Sequence, residues 1–321
     1  MTVPNANFTE ILTTTIDNYS STLADNVQTH NPLLRKVRER GNVRTFSGGV
    51  SILENLMYQE NATFLWYSGL ETLNVSGSDV LTSAQFDIKQ ANANVVVSCL
   101  EQLQNAGGEQ IHNLTRARIS NAEITLQNQI ADALFFSNTE HAGKALGGLQ
   151  HLVANDPTTG TVGGIDASAN VFWRNQVVDR SSSDGANDNE KMRTAMNTAY
   201  INTTRGGDTI DMFVGDSTFF TFYLNALQAN ERFTSDAQAA AGFRSLKFWG
   251  GAADVFFDSS APAQTMYGLN TKFIHFRPHA NRNFTRDPQK MSVNQDAVVV
   301  PLYFAGNMTV SNRLLQAVIK E

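Results

Sequence analysis

The sequence has almost no cysteine and no long apolar run. Its one cysteine among 321 residues, Cys99, excludes an internal disulfide, and its apolar surroundings at 94–100 predict a place in the core. No apolar stretch reaches the roughly 18 residues that a membrane span needs. The first residues, 1–7, lack the basic and apolar regions of a signal peptide. These absences predict a protein that needs neither disulfides nor a membrane.

Recognisable catalytic and ligand-binding motifs are also missing. Gly143-Lys144 lacks the upstream glycine and the hydroxyl of a phosphate-binding loop, and the sequence at 215–219 is not a nucleophile elbow. His275 and His279 are separated by Arg277-Pro278, and no metal-binding histidine motif occurs. We therefore expect no enzyme activity and no catalytic, cofactor-binding or metal-binding residue. The polar cluster at 277–288 is interpreted as structural hydrogen bonding at a domain junction.

Charge is scarce and slightly negative. Charged residues make up 17% of the chain, the hydrophobic fraction is 41% and the formal net charge is −6. This is a globular composition for one large or two ordinary domains. A dedicated nucleic-acid-binding protein is usually basic, so the composition argues against that class.

What the chain does contain is a long helical pattern from Glu109 to Asn138. The stretch has no proline or glycine and would form a helix roughly 45 Å long at 1.5 Å per residue. Its apolar residues recur at helical spacing, at Ile111, Leu114, Ala117, Ala122, Leu126, Ile130 and Leu134. We interpret it as a spine that needs neighbours along its whole length; an ordinary amphipathic helix of a large α/β core is the alternative.

Residues 1–40 are predicted to form an N-terminal arm. Apolar residues between Phe8 and Leu23 share one helical face, and a second helix follows Asn31-Pro32 and ends at Gly41. The end of that second helix is strongly basic, with Arg35, Lys36, Arg38 and Arg40. Favourable placement at a helix C-terminus explains these cations, and an inner-face patch that contacts a neighbouring subunit or packaged polyanion is the alternative.

Residues 41–83 form the most unusual segment. It lacks a helical period but is rich in apolar residues, including Phe64, Leu65, Trp66 and Tyr67. A structureless loop of this length is uncommon, so we predict a two-stranded excursion that turns near 59–62 or 68–69. A hairpin of this kind is marginal alone and exposes apolar side chains, so it needs a partner surface, most simply another copy of the chain.

Changes in composition and residue pattern divide the remainder of the chain. Residues 84–100 read as one strand, a domain boundary falls near Leu146, and 146–272 mix helices and strands. Strands are predicted at 274–277, 293–304 and 308–318, the last two separated by Ala305-Gly306-Asn307. We expect these closing strands to return to the sheet that begins at 84–100. The first domain would then be discontinuous.

The order of these segments resembles the major capsid protein of tailed bacteriophages, with the Hong Kong ninety-seven phage capsid fold. The likeness covers nearly the whole chain. It is carried by short motifs that are individually modest, at 149–153, 160–166, 172–175, 267–271, 277–279 and 304–313. The resemblance implies an α+β fold with an N-terminal arm at 1–40 and an extended loop at 41–83. It also implies a peripheral domain with the spine helix at 84–145 and 273–321, and an axial domain at 146–272.

The resemblance further implies a structural role without enzyme activity. Copies of the chain would self-assemble into hexamers and pentamers of an icosahedral shell around a double-stranded DNA genome, in the virion and, during assembly, in the host cytoplasm. Portal, scaffolding or decoration proteins would be further partners. Some family members crosslink neighbours through a lysine of the extended loop, but no lysine lies between Lys36 and Lys89, so we expect no such bond. An encapsulin-like nanocompartment shell and a soluble α/β enzyme are the alternatives.

Overall fold

The computed structural model describes residues 31–104, 114–227, 246–248, 252–292 and 294–321. The predicted amphipathic helix around 8–23 lies outside these residues. The helices are α1 Pro32–Glu39, α2 Cys99–Gln104, α3 Leu114–Ala133, α4 Glu140–Gly143, α5 Leu149–Leu152, α6 Asp188–Thr203 and α7 Ser217–Ala226.

The strands form two larger sheets and two short pairs. They are β1 Ser51–Met57, β2 Leu81–Asp87, β3 Lys89–Ser98, β4 Thr161–Val162, β5 Ile165–Asp166, β6 Gln176–Asp179, β7 Met212–Gly215, β8 Leu246–Phe248, β9 Ala253–Phe257, β10 Thr265–Leu269, β11 Ile274–Pro278, β12 Thr285–Arg286, β13 Lys290–Met291, β14 Ala297–Val310 and β15 Ala317–Lys320.

The first sheet is built around the long strand β14. One edge of β14 pairs antiparallel with β3, and the other edge pairs in turn with β13, β12 and β11. The prediction of two strands separated at 305–307 is wrong, because β14 runs through these residues without a break. A Cβ at Gly306 would lie 2.6 Å from the Arg277 carbonyl oxygen, so the glycine permits close pairing with β11 and makes no turn.

The second sheet contains the C-terminal strand, contrary to prediction. Its strand order is β6-β15-β10-β7-β9-β8, in which β15 pairs parallel with β6 and antiparallel with β10. Residues 317–320 therefore do not return to the sheet of β3. Ala317, Val318 and Ile319 are fully buried, and a strand that is apolar on both faces suits this interior position.

The spine helix is shorter than predicted in the described residues. α3 ends at Ala133, while 105–113 lie outside the described part of the chain. Leu134 and Phe135 leave the helix in tight turns and are almost completely buried, and the Leu134 carbonyl accepts a hydrogen bond of 2.7 Å from the Leu149 amide. Burial of Leu134 and Phe135 against the rest of the protein ends this helix. Local sequence signals do not show this end.

The predicted start of the helix after Asn31 is confirmed, because α1 begins at Pro32. The Asn31 side chain accepts a hydrogen bond of 2.7 Å from the Leu34 amide before α1, and Asp216 caps α7 through the Thr218 amide. Gly41 follows α1 with a φ of 72°, a left-handed conformation that favours glycine. The prediction that Cys99 lies in the core is wrong, because Cys99 begins α2 and is only half-buried. Residues 172–175 comprise the end of a 3₁₀ turn, Val171–Trp173, and the two residues after it.

Candidate assembly surface

The predicted excursion is a hairpin whose base belongs to the body of the protein. β1 and β2 pair antiparallel, with Ser51 opposite Asp87 and Met57 opposite Leu81. The second strand ends at Asp87, and the chain then enters β3 in another sheet, so the single strand predicted at 84–100 is two strands. Side chains alternate between the interior and solvent along both strands. The hairpin therefore presents one defined face to the protein.

A buried ion pair anchors this face. Glu54 lies between the buried Ile52 and Leu56 on the inward side of β1, and Arg277 of β11 donates to its two carboxylate oxygens at 2.7 and 2.9 Å. The Thr309 hydroxyl of β14 donates to the same carboxylate at 2.8 Å. This arrangement confirms the structural role expected for Arg277. It is a bidentate pair in which each carboxylate oxygen has a donor.

His275 lies beside this anchor and is nearly buried. Desolvation lowers its pKa, while the neighbouring Glu54 carboxylate raises it, and burial is the larger effect. Its Nε2 atom is 3.4 Å from the Ser311 hydroxyl. A neutral imidazole here adds no charge to the buried pair.

A second contact fixes the other strand of the hairpin. The Gln85 amide donates to the Gly163 carbonyl at 2.8 Å, and Gly163 has a φ of 61°. A Cβ at Gly163 would lie 2.9 Å from the Cβ of Ala84 and 3.1 Å from the Phe86 ring. Only a glycine lets the loop at 160–166 approach β2 this closely.

Beyond the base, residues 58–80 form no strand and expose their apolar side chains. Phe64 is 73% exposed and Trp66 is 88% exposed, and their rings contact edge to face with centroids 5.5 Å apart. Leu65 and Tyr67 are exposed as well, as are Leu70 and Val75. We call residues 58–80 the loop tip. Contiguous exposed apolar side chains of this kind mark an interaction surface.

The loop tip is also purely acidic in its charge. It carries Glu60, Glu71 and Asp79, all exposed, and the sequence contains no lysine, arginine or histidine from 45 to 88. A partner surface with apolar and basic character would complement it.

The predicted basic patch is largely engaged with carboxylates. Lys36 contacts Asp254 of β9 at 2.6 Å and Arg40 contacts Asp211 at 2.9 Å, which joins α1 to the second sheet. Arg35 pairs with Glu39 of its own helix at 2.7 Å. Arg38 is exposed. Contact of these cations with a polyanion stays a prediction. Because the other three pair with carboxylates, Arg38 is the cation of the patch that would chiefly make this contact.

An apolar cavity of about 340 Å³ lies between α3 and the first sheet. Its floor contains buried side chains of α3 and β14, and exposed polar side chains from α3, β3 and the segment after α3 form its rim. Leu126, Ile130 and Phe304 lie on the floor, and Gln129, His141 and Lys144 lie on the rim.

The described residues contain no cluster of three histidine, cysteine or acidic side chains placed to hold a metal ion. Within the same residues, no helix combines the length and apolar character that a membrane crossing requires.

Several solved structures of capsid chains are similar to this one in three dimensions. The chain aligns with a chain of the cyanophage A-1(L) capsid asymmetric unit over 99% of both chains, with a TM-score of 0.67 and 16% identity. It aligns with the capsid of Myoviridae phage XM1 over 95% of this chain and 96% of that one, with a TM-score of 0.61 and 12% identity. The capsid of the empty GTA particle gives a TM-score of 0.60 at 13% identity and 95% coverage of both chains.

The protein therefore has the α+β phage capsid fold that the resemblance implied. The likeness extends over nearly the entire chain in each comparison. No family model matches the sequence, and no curated protein matches it. The fold is established here by three-dimensional similarity at low sequence identity.

Proposed function

We propose that this chain is the major capsid protein of a tailed phage, a structural protein that assembles into an icosahedral shell. The observation that carries the proposal is the loop tip: apolar side chains are exposed on a hairpin whose base is held by Glu54, Arg277 and Gly163. Exposure of such a surface to solvent does not stabilise a single subunit. Burial of the surface against a second copy removes apolar area from water and is favourable.

Assembly by many weak contacts follows from this arrangement. An aromatic side chain buries about 150–250 Å² when it is covered, which is worth about 4–6 kcal/mol at about 25 cal/mol per Å². One such contact is modest, but each subunit of a closed shell makes it twice, once with its own loop and once with a neighbour's. Hexamers and pentamers of this chain around double-stranded DNA are the form of shell that we propose.

The proposed location is the virion, and the proposed role requires no catalysis or cofactor. Portal, scaffolding and decoration proteins are proposed partners of the shell as a whole. The acidic balance of the chain, at −6, suits a container whose wall does not hold its DNA tightly.

The test is electron microscopy and size-exclusion chromatography of the purified protein and of Trp66→Ala. We expect the unaltered protein to form shells and the variant to lose roughly 3 kcal/mol per contact, so that its assembly needs about 100-fold more protein. Met291→Ala is the control, because Met291 is 63% exposed on β13, outside the loop. Small oligomers of the unaltered protein, or equal assembly of both variants, would contradict the proposal.

A further inference from the structure

The loop tip and the cavity beneath α3 have complementary properties. The cavity has a floor of aliphatic and aromatic side chains, Leu126, Ile130 and Phe304, and a volume of about 340 Å³. Pockets that bury small organic ligands begin at about this size. Phe64 and Trp66 project together from the tip as an exposed edge-to-face pair.

Charge complementarity points in the same direction. The rim of the cavity carries Lys89, Lys144 and His141, whereas the loop tip has acidic side chains and no basic ones. The Lys89 side chain is largely buried, where it donates to the Gly143 carbonyl at 2.7 Å and lies 3.9 Å from the Asp87 carboxylate, so the exposed basic side chains of the rim are His141 and Lys144. Lys144 is exposed and available to an incoming carboxylate.

The chain's own tip does not occupy its own cavity. The tip side chains are exposed in the single chain, and the hairpin base is held against Arg277 and the loop at 160–166. A loop tip that enters this cavity therefore belongs to another copy.

We propose that Phe64 and Trp66 of one subunit insert into the cavity under α3 of a neighbouring subunit, with Glu60 or Glu71 beside Lys144. This inference rests on the proposed function and names the receiving site within the shell. An aromatic anchor in an apolar pocket, surrounded by complementary charges, is the usual arrangement of an energetic hot spot.

Cysteine pairs test the contact in assembled shells. In a Cys99→Ser background, Leu65→Cys keeps both aromatic anchors and is combined with Gln129→Cys at the rim of the cavity. The matched control combines Leu65→Cys with Gln127→Cys, since Gln127 is also exposed on α3 but does not line the cavity. After mild oxidation, we expect covalently linked subunits at least 10-fold more abundant for the Gln129 pair.

The outcomes separate this inference from the proposed function. Shells in which the Gln129 pair links no better than the Gln127 pair would overturn the inference and leave the capsid role intact. Failure of the unaltered protein to form shells would overturn both. Density of unaltered shells at side-chain resolution provides a test without substitutions: a neighbour's Phe64 and Trp66 in the cavity support the inference, and residues 1–30, any other group or an empty cavity refute it.

Discussion

The ion pair under the hairpin gives the most quantitative prediction. Arg277→Met removes the two guanidinium donors of the Glu54 carboxylate, keeps only the Thr309 hydroxyl as a donor, and leaves an unpaired charge on a residue that is only 7% exposed. Removing one partner of a buried pair typically costs about 3–5 kcal/mol, because the remaining charge has lost its compensation. That is a large share of the roughly 5–15 kcal/mol that stabilises an ordinary domain.

The assay is urea-induced unfolding of unassembled subunits, in which a double variant is compared with the single one. Glu54→Leu combined with Arg277→Met removes both charges, so we expect it to be less destabilised than Arg277→Met alone. The control is Lys290→Met, whose 3.1 Å pair with Asp287 has side chains 61% and 38% exposed and should contribute under about 1 kcal/mol. The reasoning is refuted if Arg277→Met costs no more than this control.

Two further substitutions test other parts of the account. Gly163→Ala should destabilise the subunit more than Gly164→Ala in the same assay, since both have positive φ but only Gly163 faces Ala84 and Phe86; equal losses would show that strain alone matters. Burial lowers the pKa of His151 from 6.5 to about 4, with smaller contributions from the charges of nearby basic residues. Between these two pH values the folded state binds fewer protons than the unfolded state. The free energy of unfolding therefore falls as the pH drops from 6.5 towards 4. The loss of stability approaches about 3 kcal/mol at about 1.4 kcal/mol per pKa unit. In the same assay, His151→Gln should lose less stability between pH 7 and pH 4 than the unaltered protein. An equal loss would show that His151 does not cause the pH dependence.

Local signals in the sequence predicted local structure well. Asn31-Pro32 and the terminating Gly41 placed the helix α1, because their effects act within one helical turn. The excursion at 41–83 was recognised because its apolar residues followed no helical period. Its exposed aromatic side chains, Phe64 to Tyr67, are where the sequence reasoning expected an inter-subunit surface.

Features decided by tertiary contacts could not be predicted in this way. Gly306 looked like part of a turn, but the glycine serves close pairing of β14 with β11. The C-terminal strand β15 has the same apolar character as a closing strand of the first sheet, and only its neighbours β6 and β10 determine where it lies. The expected return to the sheet that begins at 84–100 is confirmed for β14, which pairs with β3, and is wrong for β15.

The anchor of the hairpin was missed for a related reason. Glu54 occupies an inward position between Ile52 and Leu56, and an acid on the apolar face of a strand is a signal that it needs a buried partner. Arg277 lies in a polar cluster more than two hundred residues away, and nothing local in the sequence links it to Glu54. The two residues pair because the fold places β11 beside the base of the hairpin.

The central claim is that a subunit's exposed loop tip is covered by sister subunits. Electron microscopy of the purified, unaltered protein tests it most directly. We expect closed shells in which residues 58–80 of each subunit lie against an adjacent copy. Small oligomers in which the same residues fold back on their own subunit would contradict it.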